Sequence, residues 1–288
     1  MKSLKLFRDT SDYTSCAITH KNSLYFWNKH QLRPKKVLSN VVKVFKGEYA
    51  ITKNHKLWKF NKKSGKKVTV KRVAKNVRNI YPAESHLFVL KRNGKLWDFE
   101  KGKKAKKVCN SFKSLKITWL LNESQEYTTY PLVVTILDKK GRLFMGEGNQ
   151  DLEEKIRKIF DKVKAYRVQK RDIHGYAEIR ILKKDGTLWD WNYKKAKKVK
   201  NNVEKIVNYS YIKDKKGYLW QMIEKEKPVK LMKNVSKVVH RRFVNKEGYT
   251  TNGYTSFAVK NNGSVWGWGR KKKLPEYKIK PTEMVFKE

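Results

Sequence analysis

One short sequence pattern returns along the whole chain and restricts the folds open to it. The segment RILKKDGTLWDW (180–191) has an apolar run, an Asp-Gly turn and a Leu-x-Trp run, which together are typical of a two-residue β-hairpin. Related segments occupy seven places: 16–27, 49–60, 87–99, 134–146, 180–191, 210–222 and 256–268. Such a period indicates a repeat architecture, in which each unit buries its faces against its neighbours.

Two further elements accompany the hairpins and extend each unit to four short strands. A run related to Val-x-Lys-Val precedes the hairpin, as in VVKVF (41–45), SLKIT (114–118) and KVKAY (162–166), and a Lys-Lys-Val run often follows it. The pattern predicts one all-β domain over 1–288, a seven-bladed β-propeller of four-stranded antiparallel blades. A solenoid is the competing architecture, but it requires capping repeats, whereas both ends of this sequence look like ordinary repeat strands.

One segment departs from the repeat. EGNQDLEEKIRKIFDKV (147–163) places apolar residues at helical spacing, with Asp151 and Glu154 arranged like a capping box. We therefore expect one short helix near 151–163, between the fourth and fifth units. Its acidic start is expected to be solvated rather than to bind a metal.

The hairpin motif, the Lys-Val strand after it and an Asn-Val-x-x-Val strand resemble the bacterial form of the regulator of chromosome condensation repeat. The resemblance spans almost the whole chain and implies a seven-bladed propeller used as a binding platform. It does not extend to nucleotide exchange on a small GTPase, because no segment matches the catalytic wedge of that family. WD-type propellers are the nearest alternative, since Trp97-Asp98 and Trp189-Asp190 occur, although the accompanying Gly-His element is absent.

The charge of the chain points to acidic partners. Its 70 Lys+Arg against 26 Asp+Glu give a net charge of +44, and such a surface attracts anions. An AT-rich gene is the alternative source of this charge, because such a gene also explains the abundance of Lys, Asn, Ile and Tyr.

Cys16 and Cys109 form no metal-binding or CxxC pattern, so neither a metal nor any other cofactor is expected. No long apolar run occurs, so neither a signal peptide nor a membrane span is expected. We expect a cytoplasmic protein that is a monomer on its own and does not bind a membrane.

Antiparallel blades predict which loops share a face of the protein. The connection between the first and second strands and that between the third and fourth strands emerge on one side, which we call the loop face. Three of its connections are long and rich in tyrosine (119–131, 168–178 and 241–255), and others are rich in lysine. Tyr, Trp and Arg are enriched at binding hot spots. The residues expected to bind a partner are Trp119, Tyr127, Tyr130, His174, Tyr176, Arg241, Arg242, Phe243, Tyr249, Tyr254, Lys103, Lys104, Lys194, Lys195, Lys271 and Lys272. Alternatively, the lysines protect open strand edges from pairing between molecules.

The sequence offers no catalytic pattern, since its six histidines form no HxxH or HExxH motif. We therefore expect no enzyme and no catalytic residues. The favoured function is a protein-binding propeller that caps or inhibits an acidic protein, most concretely a bacterial immunity protein that neutralises an antibacterial toxin domain. The alternative is non-specific binding of RNA or DNA, with lysines on phosphates and tyrosines stacked on bases.

Overall fold

The computed structural model of the chain consists of strands, turns and connections in every part that it describes. The described residues are 5–8, 15–28, 31–45, 47–61, 68–83, 86–100, 102–119, 132–149, 152–153, 156–169, 177–192, 195–223, 227–244, 250–269 and 281–284. The strands form seven sheets, each with consecutive antiparallel strands. The fold class is thus all-β, with the blade arrangement of a seven-bladed β-propeller, as the repeats predict.

The chain divides into two compact units, Met1–Phe112 and Lys113–Glu288. The first unit holds blades 1 to 3. Blade 1 consists of β1 (Lys5–Arg8), β2 (Ser15–Ile18), β3 (Leu24–Asn28) and β4 (Gln31–Leu38). Blade 2 consists of β5 (Val41–Phe45), β6 (Tyr49–Thr52), β7 (Leu57–Asn61) and β8 (Thr69–Ala74). Blade 3 consists of β9 (Val77–Ala83), β10 (His86–Lys91), β11 (Leu96–Glu100) and β12 (Lys106–Cys109).

The second unit holds blades 4 to 7, except for Phe112, the first residue of blade 4, which belongs to the first unit. Blade 4 consists of β13 (Phe112–Trp119), β14 (Leu132–Asp138), β15 (Leu143–Asn149), β16 (Leu152–Glu153) and β17 (Arg157–Phe160). Blade 5 consists of β18 (Val163–Gln169), β19 (Glu178–Lys183), β20 (Leu188–Asn192) and β21 (Lys195–Lys200). Blade 6 consists of β22 (Val203–Ile206), β23 (Tyr211–Asp214), β24 (Tyr218–Gln221) and β25 (Val229–Lys233). Blade 7 consists of β26 (Val235–Val244), β27 (Thr250–Lys260), β28 (Val265–Gly269) and β29 (Thr282–Glu283). The prediction of a single domain over 1–288 stays a prediction.

Backbone hydrogen bonds between turns join successive blades within each unit. The amide of Val203, which begins blade 6, donates to the carbonyl of Gly186 at 2.9 Å, and the amide of Lys215 donates to Asn202 at 2.8 Å. Gly186 and Asn202 both have positive φ angles, 87° and 57°. Glycine and asparagine adopt this left-handed conformation at the lowest cost, which explains their return in the turns of the sequence.

Apolar side chains from facing sheets form the core. In the second unit one buried cluster joins Val133 and Leu143 of blade 4 to Ile179 and Ile181 of blade 5. A second cluster joins Leu182 of blade 5 to blade 6. The second strand of a blade is thus buried on both faces, with alternate residues packed against different neighbours. This explains why its sequence reads as an almost continuous apolar run.

The prediction of a short helix near 151–163 is wrong, since the described residues of this segment form β16, β17 and the start of β18. Both short strands pair with β15, and Phe144 lies opposite Lys158. They form an interrupted fourth strand for blade 4. Ile159 and Phe160 reach the core between blades 4 and 5 from a strand. A helix of one or two turns has little stability of its own, so strand pairing prevails over helical periodicity. Asp151 and Glu154 lie outside the described residues.

Two first strands begin elsewhere than the sequence pattern places them. The amide of Phe112 donates to Gly94, just as the amide of Val163 donates to Gly141. Phe112 therefore occupies the first position of its strand, two residues before the SLKIT run at 114–118. In blade 5 the first position is Val163 rather than Lys162. No helix among the described residues is long and apolar enough to cross a membrane.

Candidate cationic binding surface

Lysine and arginine side chains cover the fourth strands of blades 1 to 6. These strands lie at one edge of their sheets, where alternation leaves many side chains in solvent. The exposed cations are Arg33, Lys35, Lys36, Lys71, Arg72, Lys106, Lys107, Arg157, Lys158, Lys195, Lys197, Lys198, Lys230 and Lys233. Lys158 lies 2.7 Å from the carboxylate of Asp161, and Arg33 and Arg157 also have interaction partners. The strand edges therefore carry a mostly uncompensated positive charge.

Several lysines lie over aromatic rings of the repeat. The ammonium of Lys200 is 3.2 Å from the ring centroid of Trp220, and that of Lys260 is 3.9 Å from Trp266. Burial lowers the pKa of Lys200, although nearby Asp214 partly offsets this shift. Such cation–π contacts hold the ammonium groups at defined positions and cover apolar ring surface. These lysines thus help to stabilise the blades as well as adding charge.

The structure describes only part of the predicted loop face. Lys103, Lys104 and Lys195 are described and exposed. Trp119, Arg241, Arg242, Phe243 and Tyr254 lie in strands, but their side chains are outside the described set. The remaining predicted residues lie outside the described residues: Tyr127, Tyr130, His174, Tyr176, Lys194, Tyr249, Lys271 and Lys272. Their grouping into one surface remains a prediction.

One of the three long connections is shorter than expected. Residues 241–255 are not one loop, because β26 continues to Val244 and β27 begins at Thr250. Arg242 lies opposite Tyr254, and Val244 lies opposite Thr250. Thr and Val favour strands, so cross-strand pairing extends this hairpin beyond its neighbours. Arg241, Arg242, Phe243 and Tyr254 therefore belong to an extended hairpin.

A buried charge cluster links blades 5 and 6 near the loop face. Arg180 in β19 is only 4% exposed and donates two hydrogen bonds of 2.8 Å to the carboxylate of Asp190 in β20. Its third nitrogen donates to the carbonyl of Tyr209, and its guanidinium lies 4.3 Å from the Tyr209 ring centroid. The Tyr209 hydroxyl donates to Glu178 at 2.8 Å. Burial is the main cause that raises the pKa of Tyr209, so this hydroxyl stays protonated.

Blade 3 has a related pair in which the aspartate is equivalent to Asp190, whereas its partner lies two residues earlier in the second strand. Nδ1 of His86 lies 2.9 Å from the Asp98 carboxylate, and the His86 ring stacks on Phe88 with centroids 5.9 Å apart. Asp98 and Asp190 both follow the repeat tryptophan of their blade. In both blades this aspartate accepts hydrogen bonds from a group on the second strand. The aspartates of the Trp-Asp pairs, which suggested a WD-type repeat, thus bind a side chain of their own blade.

Sequence reasoning missed the Arg180 cluster. Arg180 lies in an apolar run, where one charge among buried neighbours signals a paired residue. The described residues contain no group of His, Cys, Asp and Glu able to hold a metal ion. Cys16 and Cys109 are both buried.

No protein-family model matches this chain, and no curated protein matches it in sequence. The chain is similar to a solved WD40 domain of SCAP from fission yeast, with 11% identity and a TM-score of 0.40, covering 92% of this chain and 62% of that one. It is also similar to the BP39L lectin from Burkholderia pseudomallei, with 10% identity and a TM-score of 0.41, covering 99% of each chain. A third similar structure, of BBS1N in complex with ARL6DN, has 10% identity and a TM-score of 0.36, covering 95% of this chain and 77% of that one. The resemblance to the regulator of chromosome condensation repeat stays a prediction, and the fold class follows from the seven sheets of this chain itself.

Proposed function

We propose that this chain is a non-enzymatic propeller that binds an acidic protein. The observation that carries the proposal is the set of exposed cations on the fourth strands of six blades, most of which have no carboxylate at ion-pair distance among the described residues. Protection of open strand edges is the alternative role of these lysines, including those close together in sequence such as Lys197, Lys198 and Lys200 in β21.

The most concrete form of this function is an immunity protein that neutralises a bacterial toxin domain in the cytoplasm. A binding propeller needs no catalytic group, and inhibition by occlusion requires only a large complementary surface. A partner with an acidic patch would associate rapidly, because complementary charge steers the encounter. Hydrophobic and aromatic residues would then supply the lasting contacts.

Capture of the partner tests the proposal. The tagged full-length chain is incubated with lysate of its native cell after nuclease treatment and washed at about 0.5 M salt, where the Debye length is only a few ångströms. We expect one stoichiometric acidic protein to remain bound and, for the immunity form, to lose its toxicity when bound. Recovery of no protein after this wash would overturn the proposal.

Non-specific nucleic-acid binding is the second candidate, favoured by the spread of lysines over six blades. Lysine neutralises phosphates but lacks the planar fork that arginine uses for bidentate recognition. This candidate predicts a steep salt dependence, with the slope of log K against log salt decreasing by about one unit for each lost phosphate contact. Affinity for an oligonucleotide that does not change with salt would exclude it.

A further inference from the structure

A lysine of blade 5 occupies a position that is apolar in other blades. In blades 1 to 6 one residue of the fourth strand lies opposite a leucine of the third strand, and in blade 5 it is Lys200, opposite Leu188. The equivalent residues of blades 1, 2, 3, 4 and 6 are Leu38, Ala74, Cys109, Phe160 and Met232. Lys200 is half-buried, and its ammonium lies over Trp220 of blade 6, 3.2 Å from the ring centroid. A lysine thus replaces an apolar residue where blades 5 and 6 meet.

Blade 6 departs from the repeat on the other side of this junction. In blades 5 and 7 a hydroxyl residue, Thr187 or Ser264, precedes a tryptophan by two positions and accepts a hydrogen bond from its indole nitrogen, at 2.9 and 3.1 Å. In blade 6 the equivalent residue is Tyr218, and the Trp220 indole instead donates to the Asp214 carboxylate at 2.8 Å. The Tyr218 ring therefore lies beside Trp220 without the structural role that the two hydroxyl residues have.

Two lysines of the fourth strand of blade 6 lie over the Tyr218 ring. The ammonium of Lys230 is 3.6 Å from the ring centroid, and that of Lys233 is 5.5 Å from it. Lys233 lies opposite Tyr218 and Lys230 lies opposite Trp220, and residues paired across strands project from the same face of a sheet. Trp220 packs against the buried cluster that blades 5 and 6 share, so this face is directed towards blade 5. Lys200, Lys230 and Lys233 thus converge on two neighbouring rings, and we call these five residues the seam cluster.

The positive charge of the seam cluster is not compensated within the described part of the chain. None of its three lysines has a carboxylate at ion-pair distance among the described residues. Asp214 lies nearby, but its carboxylate accepts hydrogen bonds from two backbone amides and from the Trp220 indole. It is also only 7% exposed. The charge of Asp214 is thus used within the fold, whereas the side chains of Lys230 and Lys233 are exposed.

The arrangement of the seam cluster favours a carboxylate over a nucleic acid. Single-stranded nucleic acids bind by stacking their bases on aromatic side chains. Here ammonium groups lie over the rings of Tyr218 and Trp220, and Trp220 also packs against the buried cluster, so little ring surface remains for stacking. Ammonium groups held over rings have already lost part of their side-chain entropy, which lowers the cost of binding an anion. The cluster therefore presents ordered positive charge without a stacking surface.

We infer that the seam cluster binds side-chain carboxylates of the acidic protein partner. This inference rests on the proposed function and assigns that function a specific anchor at the junction of blades 5 and 6. Each ammonium has N–H donors, and hydrogen bonds between an ammonium and a carboxylate are stronger than those between neutral groups. The other exposed lysines of the fourth strands then contribute mainly to the rate of association.

Calorimetric titration of the full chain with a deca-glutamate peptide tests the site. The test variant is Lys200→Met/Lys230→Met/Lys233→Met, in which Lys200 receives the residue that blade 6 has at the equivalent position. At about 0.1 M salt we expect it to lose about tenfold or more in affinity, since adjacent charge-assisted hydrogen bonds are removed. The matched control should lose less than about threefold, as for general screening of exposed charge. It removes one exposed lysine from the fourth strand of each of blades 1 to 3: Lys35→Met/Lys71→Met/Lys106→Met.

A further variant keeps the net charge and changes only the order of the ammonium groups. Tyr218→Thr introduces the residue that blade 5 has at this position and removes the ring beneath Lys230 and Lys233. We expect the affinity for the peptide to fall by about threefold or more, because the released lysine side chains must then be ordered on binding. An unchanged affinity would show that the ring does not position the lysines, and it would overturn the site.

Equal losses in the test and control variants would also overturn the site, because the peptide would then sense only total charge. If a single-stranded oligonucleotide lost as much affinity as the peptide in the test variant, the cluster would bind phosphate and the inference would fail. The corresponding glutamine variants repeat the test if a methionine variant does not fold. Dependence of the peptide on the seam cluster, combined with capture of no protein from lysate, would retain the anion site and reject the proposed function. A captured partner that binds the wild-type chain and the test variant equally would do the reverse.

Discussion

Arg167 and Arg180 lie directly opposite each other on β18 and β19, yet their surroundings differ sharply. Arg180 is almost fully buried, and Asp190 and Tyr209 accept its hydrogen bonds. Arg167 is exposed and has no carboxylate partner among the described residues, and its charge contributes to the lowered pKa of Lys116. A charge whose hydrogen bonds are satisfied within the fold stabilises the fold. An exposed charge without such a partner can instead interact with a molecule in solution.

Among these substitutions, removal of the Asp190 carboxylate should have the largest effect on the free energy of unfolding. Asp190→Ala leaves the guanidinium of Arg180 buried and without its partner, so we expect a loss of about 3 kcal/mol in the free energy of unfolding. Chemical denaturation, monitored by tryptophan fluorescence, measures this loss. Arg180→Met is the matched control, because a buried apolar side chain of similar length should cost less than the unpaired charge. A loss below about 1 kcal/mol for Asp190→Ala would show that water reaches Arg180.

Loss of the Tyr209 hydroxyl should have a smaller effect. Tyr209→Phe removes the hydrogen bond to Glu178 but keeps the ring against the Arg180 guanidinium. We expect the free energy of unfolding to fall by about 1 kcal/mol. Comparison with Tyr209→Leu in the same denaturation assay separates the hydroxyl from the ring, since leucine also removes the cation–π contact. If the phenylalanine variant were as unstable as the leucine variant, the ring contact would contribute nothing.

Substitution of Lys116 should leave stability unchanged or raise it. Lys116→Met removes one of two like charges and should change the free energy of unfolding by less than about 1 kcal/mol at neutral pH, in the stabilising direction. Because the pKa of Lys116 is lower in the folded protein than its usual value, the unfolded chain binds more protons at alkaline pH. The stability of the wild-type chain relative to the variant should therefore rise with pH through the folded pKa and level off above the ordinary lysine pKa. Stability that instead falls relative to the variant over this range would contradict the like-charge account.

The hairpins and the order of the strands could be predicted from sequence because both depend on local chemistry. Turns such as Asp185-Gly186 and the alternation of apolar residues are visible without a structure. The prediction of a short helix failed because Ile159 and Phe160 fit a strand edge as well as a helix face. Only pairing with β15, a contact distant in sequence, decides between them.

Lys116 in blade 4 and Arg167 in blade 5 escaped detection for a different reason. The sequence pattern aligned Lys116 with Lys43 of VVKVF, at a position where lysine is ordinary. The hydrogen bonds of Phe112 and Val163 correct that frame, and Lys116 then occupies a position that is apolar elsewhere.

The most direct measurement of the central claim is calorimetric titration of the full chain with a deca-glutamate peptide at several salt concentrations. If the exposed cations of the chain bind an acidic protein, the peptide should bind at about 0.1 M salt and lose affinity as salt is added, because salt screens exposed charges. No binding of the peptide at about 0.1 M salt would contradict the account.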